Sequence, residues 1–328
     1  MSMTERTLPA APGGAVRWFD CPSVLLLVTG TLIGLNFPLG KLGAEAGVAP
    51  ALWALLIAGG GALALWPVLY VRGELGRPSR RVLRYAAVTA LVSFVGPNLL
   101  LFTVIPHTGA GYAGLMFALS PVFTVLFAGV CRLRTPGRLG LVGIALGLAG
   151  AVTVSLTRGA DPAGPGFGWL LLAMLIPVSL AAGNDYRTVD WPPSTSGNVL
   201  AFWGQAFSGT MLVLWLLVTE GRVAVETLAP VGTAALMQMV AAAMSFPVLF
   251  RLQQTGGPVL FSQIGYVAAA VGLVVATVFL GERYALLTWL GAAIIAVGIG
   301  VTVLAQWREK GATALRVPSA AGPESVRA

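Results

Sequence analysis

The sequence predicts an all-α membrane protein whose ten transmembrane helices form two inverted five-helix repeats. Three observations predict this fold class: ten apolar stretches long enough to cross a bilayer, charged residues that fall almost entirely in the gaps between them, and a similarity between the two halves. The composition agrees, because 57% of the 328 residues are hydrophobic and 10% are charged. A typical soluble domain carries about 25% charged residues, so the core of this chain is expected to lie in lipid.

Each predicted span has the length that a hydrocarbon core requires, about 20 predominantly apolar residues. The spans are 23–43, 50–71, 84–106, 109–131, 138–156, 167–185, 197–218, 230–250, 258–280 and 285–306. Pro38, Pro97 and Pro121 lie inside spans, where each removes a backbone hydrogen bond and is expected to kink its helix beside a cavity. Residues 1–21 and 307–328 lack apolar periodicity and are expected to be disordered cytoplasmic tails.

Lysine and arginine fall unevenly on the two sides of these spans. Sixteen lie on the side that holds both termini, and four lie on the other side: Lys41, Arg158, Arg222 and Arg283. Cytoplasmic loops of membrane proteins carry the excess of positive charge, so both termini are predicted to be cytoplasmic. The same rule accounts for the net charge of +8, and nucleic-acid binding is therefore not expected.

A shift of 151 positions aligns the fourth and fifth spans with the ninth and tenth without a gap. Nine identities fall over positions 114–153, among them Gly114 with Gly265, Ala118 with Ala269 and Gly147 with Gly298. Five helices are an odd number, so the second half is inverted relative to the first. The predicted repeats cover residues 22–156 and 167–306, with a linker at 157–166. Inverted repeats are typical of secondary transporters, which bind substrate between the halves.

Three motifs resemble the drug/metabolite transporter superfamily, in particular bacterial permeases with two EamA-type domains. They are Gly-Leu-Asn-Phe at 34–37 followed by Lys41 and Pro50, Ala-Leu-Ser-Pro-Val-Phe at 118–123, and Phe-Leu-Gly-Glu-Arg at 279–283 followed by Trp-Leu-Gly-Ala at 289–292. The resemblance implies a permease of the bacterial cytoplasmic (inner) membrane that moves an amino acid-like compound or drug by alternating access, as an exporter. It also implies that Gly281 and Glu282 form a structural hinge.

The first half departs from this family pattern at two places. Cys131 stands where the 151-residue shift pairs it with Glu282, so the first repeat lacks the hinge glutamate. The arginine often found near the start of the family's second helix is missing from residues 51–60. Family roles for these two positions are therefore not expected in the first half.

Uncharged polar side chains deep in the spans are the main candidates for a substrate site. An amide that faced lipid would leave its hydrogen-bonding groups unsatisfied, so these amides must face protein or a water-filled cavity. Hydrogen bonding between helices is the alternative explanation for each of them. Nearby aromatic residues would form walls of the cavity or ordinary core. The candidates are Asn36, Asn98, Gln205, Gln238 and Gln263, with Tyr112, Trp203 and Tyr266 as the aromatic residues. We expect Asn36, Asn98, Gln238 and Gln263 to converge on one polar space.

Two charged residues near the outer ends of helices have two interpretations each. Lys41 either reaches the interface and pairs with Glu45, or faces the cavity and attracts a substrate carboxylate or phosphate. Glu282 is expected to pair with Arg283 or Arg222, or to meet the N-terminus of the tenth helix. For Glu282 a structural role is favoured over contact with substrate.

The sequence argues against enzymatic chemistry. One histidine and two distant cysteines cannot build a zinc site, and a phosphate-binding loop is missing, so no metal, cofactor or catalytic residue is expected. The remaining alternatives are a membrane scaffold or sensor and an intramembrane enzyme.

The expected partners are a small-molecule metabolite and membrane lipids, and the chain is expected to be a monomer or homodimer. With every acidic residue near a helix end, in a loop or in a tail, facilitated diffusion or exchange is expected, Asp185 being the main exception to test.

Overall fold

The computed structural model describes residues 22–130, 137–159 and 166–316. Within these ranges all regular secondary structure is helical, which confirms the predicted all-α class. The predictions for residues 1–21, for Cys131 and for most of the linker fall outside them.

The first half contains eight α-helices and one π-helical turn. These are α1 (Pro22–Gly34), α2 (Asn36–Glu45), α3 (Pro50–Val71), α4 (Arg80–Thr89), the π turn (Ala90–Val95), α5 (Gly96–Thr108), α6 (Ala110–Phe117), α7 (Ser120–Val130) and α8 (Arg138–Gly159). The second half contains six α-helices and one 3₁₀ turn. These are α9 (Phe167–Ala173), α10 (Leu175–Val189), α11 (Gly197–Glu220), the 3₁₀ turn (Val225–Val231), α12 (Gly232–Ser262), α13 (Ile264–Phe279) and α14 (Leu286–Arg316).

Six helical stretches in the described ranges are long and apolar enough to cross a membrane. They are Val24–Glu45, Pro50–Val71, Arg80–Thr108, Phe167–Val189, Gly197–Glu220 and Val225–Gln253. Four shorter apolar helices are Ala110–Thr124, Arg138–Val154, Ile264–Phe279 and Leu286–Gly298. These ten stretches follow the ten predicted spans in order along the described part of the chain.

Two predicted boundaries differ from the structure. Helix α12 continues to Ser262, across the predicted gap between the eighth and ninth spans, and α14 continues to Arg316, so residues 307–316 are helical where a tail was predicted. The polar residues at both places include arginine, glutamine, glutamate and lysine, which are good helix formers. Polarity therefore marked the edge of the apolar stretch in the sequence and not the end of the helix.

Proline explains three interruptions of these spans. A proline leaves the carbonyl four residues earlier without its helical donor, and Pro38, Pro121 and Pro177 leave those of Gly34, Phe117 and Ala173. These three residues are the last residues of α1, α6 and α9. Pro97 acts in the same way on Ser93, which lies in the π turn. The structure therefore has a helix interruption or a π turn next to each of the three prolines at which a kink was expected, Pro38, Pro97 and Pro121. A fourth interruption, at Gln263 between α12 and α13, has no such proline.

Helices α8 and α14, the fifth and tenth spans, pack closely through glycines. A Cβ on Gly150 would lie 2.7 Å from the carbonyl oxygen of Gly291. A Cβ on Gly298 would lie 2.8 Å from the carbonyl oxygen of Gly143 and would meet the backbone of Gly147 even more closely. Small residues allow membrane helices this close approach, so the two backbones touch with no side chain between them.

Replacing Gly298 with Ala is expected to destabilise the protein by about 1–3 kcal/mol, because the new methyl group meets rigid backbone and not a movable side chain. A lower thermal midpoint of purified protein in detergent would show it. Gly300 is the matched control on the same helix, since a Cβ there meets nothing within 4 Å. Gly300→Ala should leave the midpoint unchanged or raise it slightly. Equal midpoints for both variants would contradict the close packing of α8 on α14.

Candidate functional site

A cavity of about 90 Å³ lies among helices from both halves of the chain. Its apolar wall includes five phenylalanines: Phe37, Phe94, Phe117, Phe246 and Phe261. Seven polar side chains also line it: Asn36, Ser93, Asn98, Ser120, Asn184, Arg187 and Ser245. A mostly apolar pocket with a few convergent polar groups is the usual form of a small-molecule site.

The interrupted helices place several of these groups at the cavity. Asn36 is the first residue of α2, directly after the break at Leu35, and Ser120 is the first residue of α7, directly after the break at residues 118–119. Ser93 lies in the π turn, and Ile264 follows the break at Gln263. Irregular backbone within a membrane is tolerated where it is buried in protein or lines a cavity. The prolines therefore shape the site as well as the helices.

Asn36 is held by a hydrogen-bonded chain of three side chains. Nε2 of Gln238 donates to Oδ1 of Asn36 over 2.6 Å, and Nε1 of Trp53 donates to Oε1 of Gln238 over 3.2 Å. Gln238 is 0% exposed and lies outside the cavity lining. Gln238 therefore contacts Asn36 from behind the cavity wall and links α2, α3 and α12.

Arg187 is a cavity residue that the sequence pattern did not predict. It is 4% exposed and lines the cavity on the same face of α10 as Leu180 and Asn184, at the four- and three-residue spacing of a helix. The sixth span was predicted to end at residue 185, which put Arg187 in a cytoplasmic loop. Helix α10 instead continues to Val189. The signal that could have found it is Pro192-Pro193, because a helix is expected to run until shortly before a proline.

The guanidinium of Arg187 is only partly satisfied. Its Nη2 donates to Oδ1 of Asn184 over 2.6 Å, while Nε and Nη1 have no hydrogen-bond partner among the described residues. Its central carbon lies 5.6 Å from the ring centroid of Phe94 and 5.0 Å from that of Phe261. Such cation–π contacts orient the group, but they leave the N–H donors of Nε and Nη1 unused.

The structure places the nine predicted substrate residues in different surroundings. Asn36 and Asn98 line the cavity together, and Gln238 bonds to Asn36 from outside it. Gln205 faces a separate groove between α3 and α11. Lys41, Tyr112, Trp203, Gln263 and Tyr266 are outside the cavity lining. Of the four amides expected to converge, two therefore share the cavity and a third touches one of them, while Gln263 adjoins the lining residue Ile264.

A cluster centred on Glu282 joins the third-to-fourth turn to the ninth-to-tenth turn. Its carboxylate, 7% exposed, accepts from Nζ of Lys41 over 2.8 Å and from the amides of Ala110 and Gly111 over 2.8 Å and 3.1 Å. The Tyr284 hydroxyl donates to the same carboxylate. The left-handed conformation of Gly281, with φ of 64°, turns the chain toward this contact.

These contacts correct the expected partners of Glu282. Neither Arg283 nor Arg222 pairs with it in the structure, and Arg222 binds Glu226 over 2.6 Å. Glu282 meets the N-terminus of α6 instead of the tenth helix, because the turn at Gly281 directs it across the bundle. Lys41 also lies 3.8 Å from Glu45. Burial raises the pKa of Glu282, but hydrogen bonds from Lys41, Tyr284 and the two amides outweigh burial, so the net pKa lies below its ordinary value.

A second polar cluster ties helix ends together on the opposite side of the bundle. Asp190, just after α10, accepts from Nη2 of Arg84 over 3.0 and 3.1 Å and from the Tyr186 hydroxyl over 2.8 Å. The hydroxyl of Ser196 donates to Glu74 over 2.9 Å. The cavity therefore lies between two ion-paired clusters, one toward each end of the helices.

Comparison with known proteins gives a consistent set of matches. Residues 22–156 match the EamA-like transporter family. The uncharacterized inner membrane transporter YedA of Escherichia coli K12 is 25% identical over 243 residues, covering 73% of this chain and 76% of YedA. YedA of the strains O6:H1 and O157:H7 gives the same figures. One solved crystal structure aligns with a TM-score of 0.59 and 20% identity over 88% of this chain and 99% of its own, a likeness of fold.

Proposed function

We propose that the chain is a membrane transporter of the EamA-like family, which its residues 22–156 match, and that it moves a small polar or amphipathic organic metabolite by alternating access at the central cavity. The observation that carries this proposal is the cavity itself, where polar groups at interrupted helices, among them Asn36 and Ser120, face an apolar wall. Secondary transporters build substrate sites from such discontinuous helices. By analogy with the family, the direction is outward across a bacterial cytoplasmic membrane.

Contacts between the fourth and ninth spans support two inverted repeats at 22–156 and 167–306. A Cβ on Gly114 would lie 3.6 Å from Cα of Ala269, and a Cβ on Gly265 would lie 3.5 Å from Cα of Ala118. The 151-residue shift pairs Gly114 with Gly265 and Ala118 with Ala269, so the second contact is the image of the first. Reciprocal contacts of this kind are what a two-fold axis produces.

The two ion-paired clusters are suited to act as alternating closures. With both termini in the cytoplasm, the Glu282 cluster lies on the outer side and the Asp190 cluster on the inner side. Each joins the ends of helices that must separate when the cavity opens to that side. Lys41 thus serves the outer closure in this proposal.

No acidic side chain lines the cavity in the described ranges, which supports facilitated diffusion or exchange rather than proton coupling through a cavity carboxylate. Asp185 lies in α10, half-buried and next to the lining residue Asn184. It is the acidic residue to change if a pH gradient proves to drive uptake.

The test is counterflow in sealed proteoliposomes against a panel of radiolabelled amino acids, organic acids, amines and neutral amphiphiles. We expect at least one compound to exchange saturably, and we expect no exchange in protein-free liposomes. An imposed pH gradient should not increase the exchange. Folded protein that exchanges no member of the panel would favour a scaffold or sensor. Accumulation that follows the gradient and is lost in Asp185→Asn would replace exchange by proton coupling.

A further inference from the structure

We infer that the transported metabolite is an organic anion with a single carboxylate, which binds the guanidinium of Arg187 while its apolar body lies against the phenylalanines of the cavity. The inference rests on the proposed transport function and names the substrate class for it. Arg187 carries it because this buried cation faces the cavity with donors that no described residue uses.

The hydrogen bonds available at Arg187 define the missing partner. An arginine has five N–H donors and no acceptor, so its Nε and Nη1 offer three donors beyond the Nη2 that binds Asn184. Donors on a buried cation are best matched by the oxygens of an anion, since charge-assisted hydrogen bonds are about twice as strong as neutral ones. A carboxylate fits this requirement in charge and in geometry.

The burial of Arg187 strengthens the argument. A cation taken out of water without an opposite charge costs several kcal/mol, even after relaxation. Cation–π contacts with the rings of Phe94 and Phe261 offset only part of this cost, by about 2 kcal/mol or less for each desolvated contact. A chain that keeps such a cation at 4% exposure beside a cavity is less stable empty than with an anion bound.

The other lining residues narrow the anion to one charge and an apolar body. Among the described lining residues, Arg187 is the only ionisable side chain, so one negative charge balances the cavity and two would leave it negative. Five phenylalanines supply apolar area. Asn36 and Asn98 remain to bind a further uncharged polar group.

Equilibrium binding to purified full-length protein in detergent tests the inference with three probes that share a benzyl group. Phenylacetate is the monoanion, phenylacetamide is its neutral isostere and benzylphosphonate carries more charge. We expect phenylacetate to bind the native protein roughly ten- to hundredfold more tightly than phenylacetamide, and benzylphosphonate to bind more weakly than phenylacetate. Arg187→Gln should remove the advantage of phenylacetate and leave phenylacetamide unaffected.

Two further variants keep the result interpretable. Arg187→Lys keeps the charge and loses the planar array of donors. Its affinity for phenylacetate should therefore fall between those of the native protein and Arg187→Gln. Arg72→Gln removes a positive charge from an exposed residue at the end of α3 and should bind phenylacetate as the native protein does. Without ligand, Arg187→Gln should melt no lower than the native protein, whereas a purely structural arginine would cost stability when removed.

Equal binding of phenylacetate and phenylacetamide, unchanged phenylacetate affinity in Arg187→Gln, or no binding of any probe to the native protein would each overturn the inference. If Arg187→Gln does not fold, the affinities of the three probes for the native protein and for Arg187→Lys test the anion site instead. Binding is measured without a sealed compartment, so the proposal of transport and the proposal of an anion site can fail separately. Carboxylates that bind through Arg187 without exchange would refute transport, and carboxylate exchange that is unchanged in Arg187→Gln would refute the anion site.

Discussion

Replacement of Glu282 by Gln is expected to reduce transport strongly and to destabilise the protein. Gln keeps the shape but not the charge, so Lys41 loses its near partner and one of the two backbone amides faces an NH₂ group instead of an oxygen. Breaking a fully buried ion pair costs about 3–5 kcal/mol. Lys41 keeps 20% exposure, which reduces the expected cost to about 2 kcal/mol. If the outer-closed state bears this cost, its population relative to the open state falls by roughly tenfold or more.

The measurements are counterflow in proteoliposomes and the thermal midpoint in detergent. Glu226→Gln is the matched control, because Glu226 pairs with Arg222 on the same predicted side but both side chains are more than half exposed. Exposed pairs contribute about 0–1 kcal/mol, so this variant should transport and melt as the native protein does. Native transport and melting in Glu282→Gln would show that the cluster does not close the outer side.

The same carboxylate should make stability depend on pH. A group whose pKa is lowered by folding contributes stability that is present above its ordinary pKa, here 4.5, and is lost as the pH falls through the lowered value. The native thermal midpoint should therefore decline more steeply below pH 4.5 than that of Glu282→Gln. Parallel declines would mean that the hydrogen bonds from Lys41 and the two amides do not depend on the charge of Glu282.

The sequence predicted the helices well because their determinants are local. The length of the apolar segments predicted ten helical stretches in order. Pro38 and Pro121 predicted the positions of two breaks within a few residues, since a proline acts on a carbonyl four residues away. Helix ends were less predictable. The end of α10 was placed at residue 185 because Asn184, Asp185 and Arg187 are polar, yet a helix can carry polar residues inward when a cavity receives them.

The site was predicted only in part because its geometry depends on distant contacts. That Asn36 and Asn98 face protein or a cavity and not lipid follows from their own helices, and the structure brings them to one cavity. That Glu282 meets α6 depends on a turn 172 positions away in the chain. Likewise, whether the N–H groups of Arg187 find hydrogen-bond acceptors depends on which helices surround α10. Patterns along the chain do not contain this information, although they do limit which residues take part.

Replacement of Gln238 by Leu should destabilise the protein and lower transport by more than it lowers the yield of folded protein. The change leaves Nε1 of Trp53 without its acceptor and Oδ1 of Asn36 without its donor. Each unsatisfied buried group costs about 1–3 kcal/mol. Trp53 is buried and bears its full cost, whereas Asn36 faces the cavity and can turn toward it. A rotated Asn36 would present the wrong groups to a substrate, so the effect should appear in the concentration dependence of counterflow.

A double-mutant cycle with Trp53→Phe separates orientation of Asn36 from general packing. Phe removes the indole donor, so Gln238→Leu should lower the thermal midpoint less in Trp53→Phe than in the native protein. The decreases in midpoint caused by the two changes should therefore be less than additive. Transport should not recover, because Asn36 still lacks its donor. Met237→Leu is the matched control, since Met237 is the exposed neighbour on α12. If Gln238→Leu lowers folded yield and transport in equal proportion, Gln238 holds helices together and does not orient Asn36 for substrate.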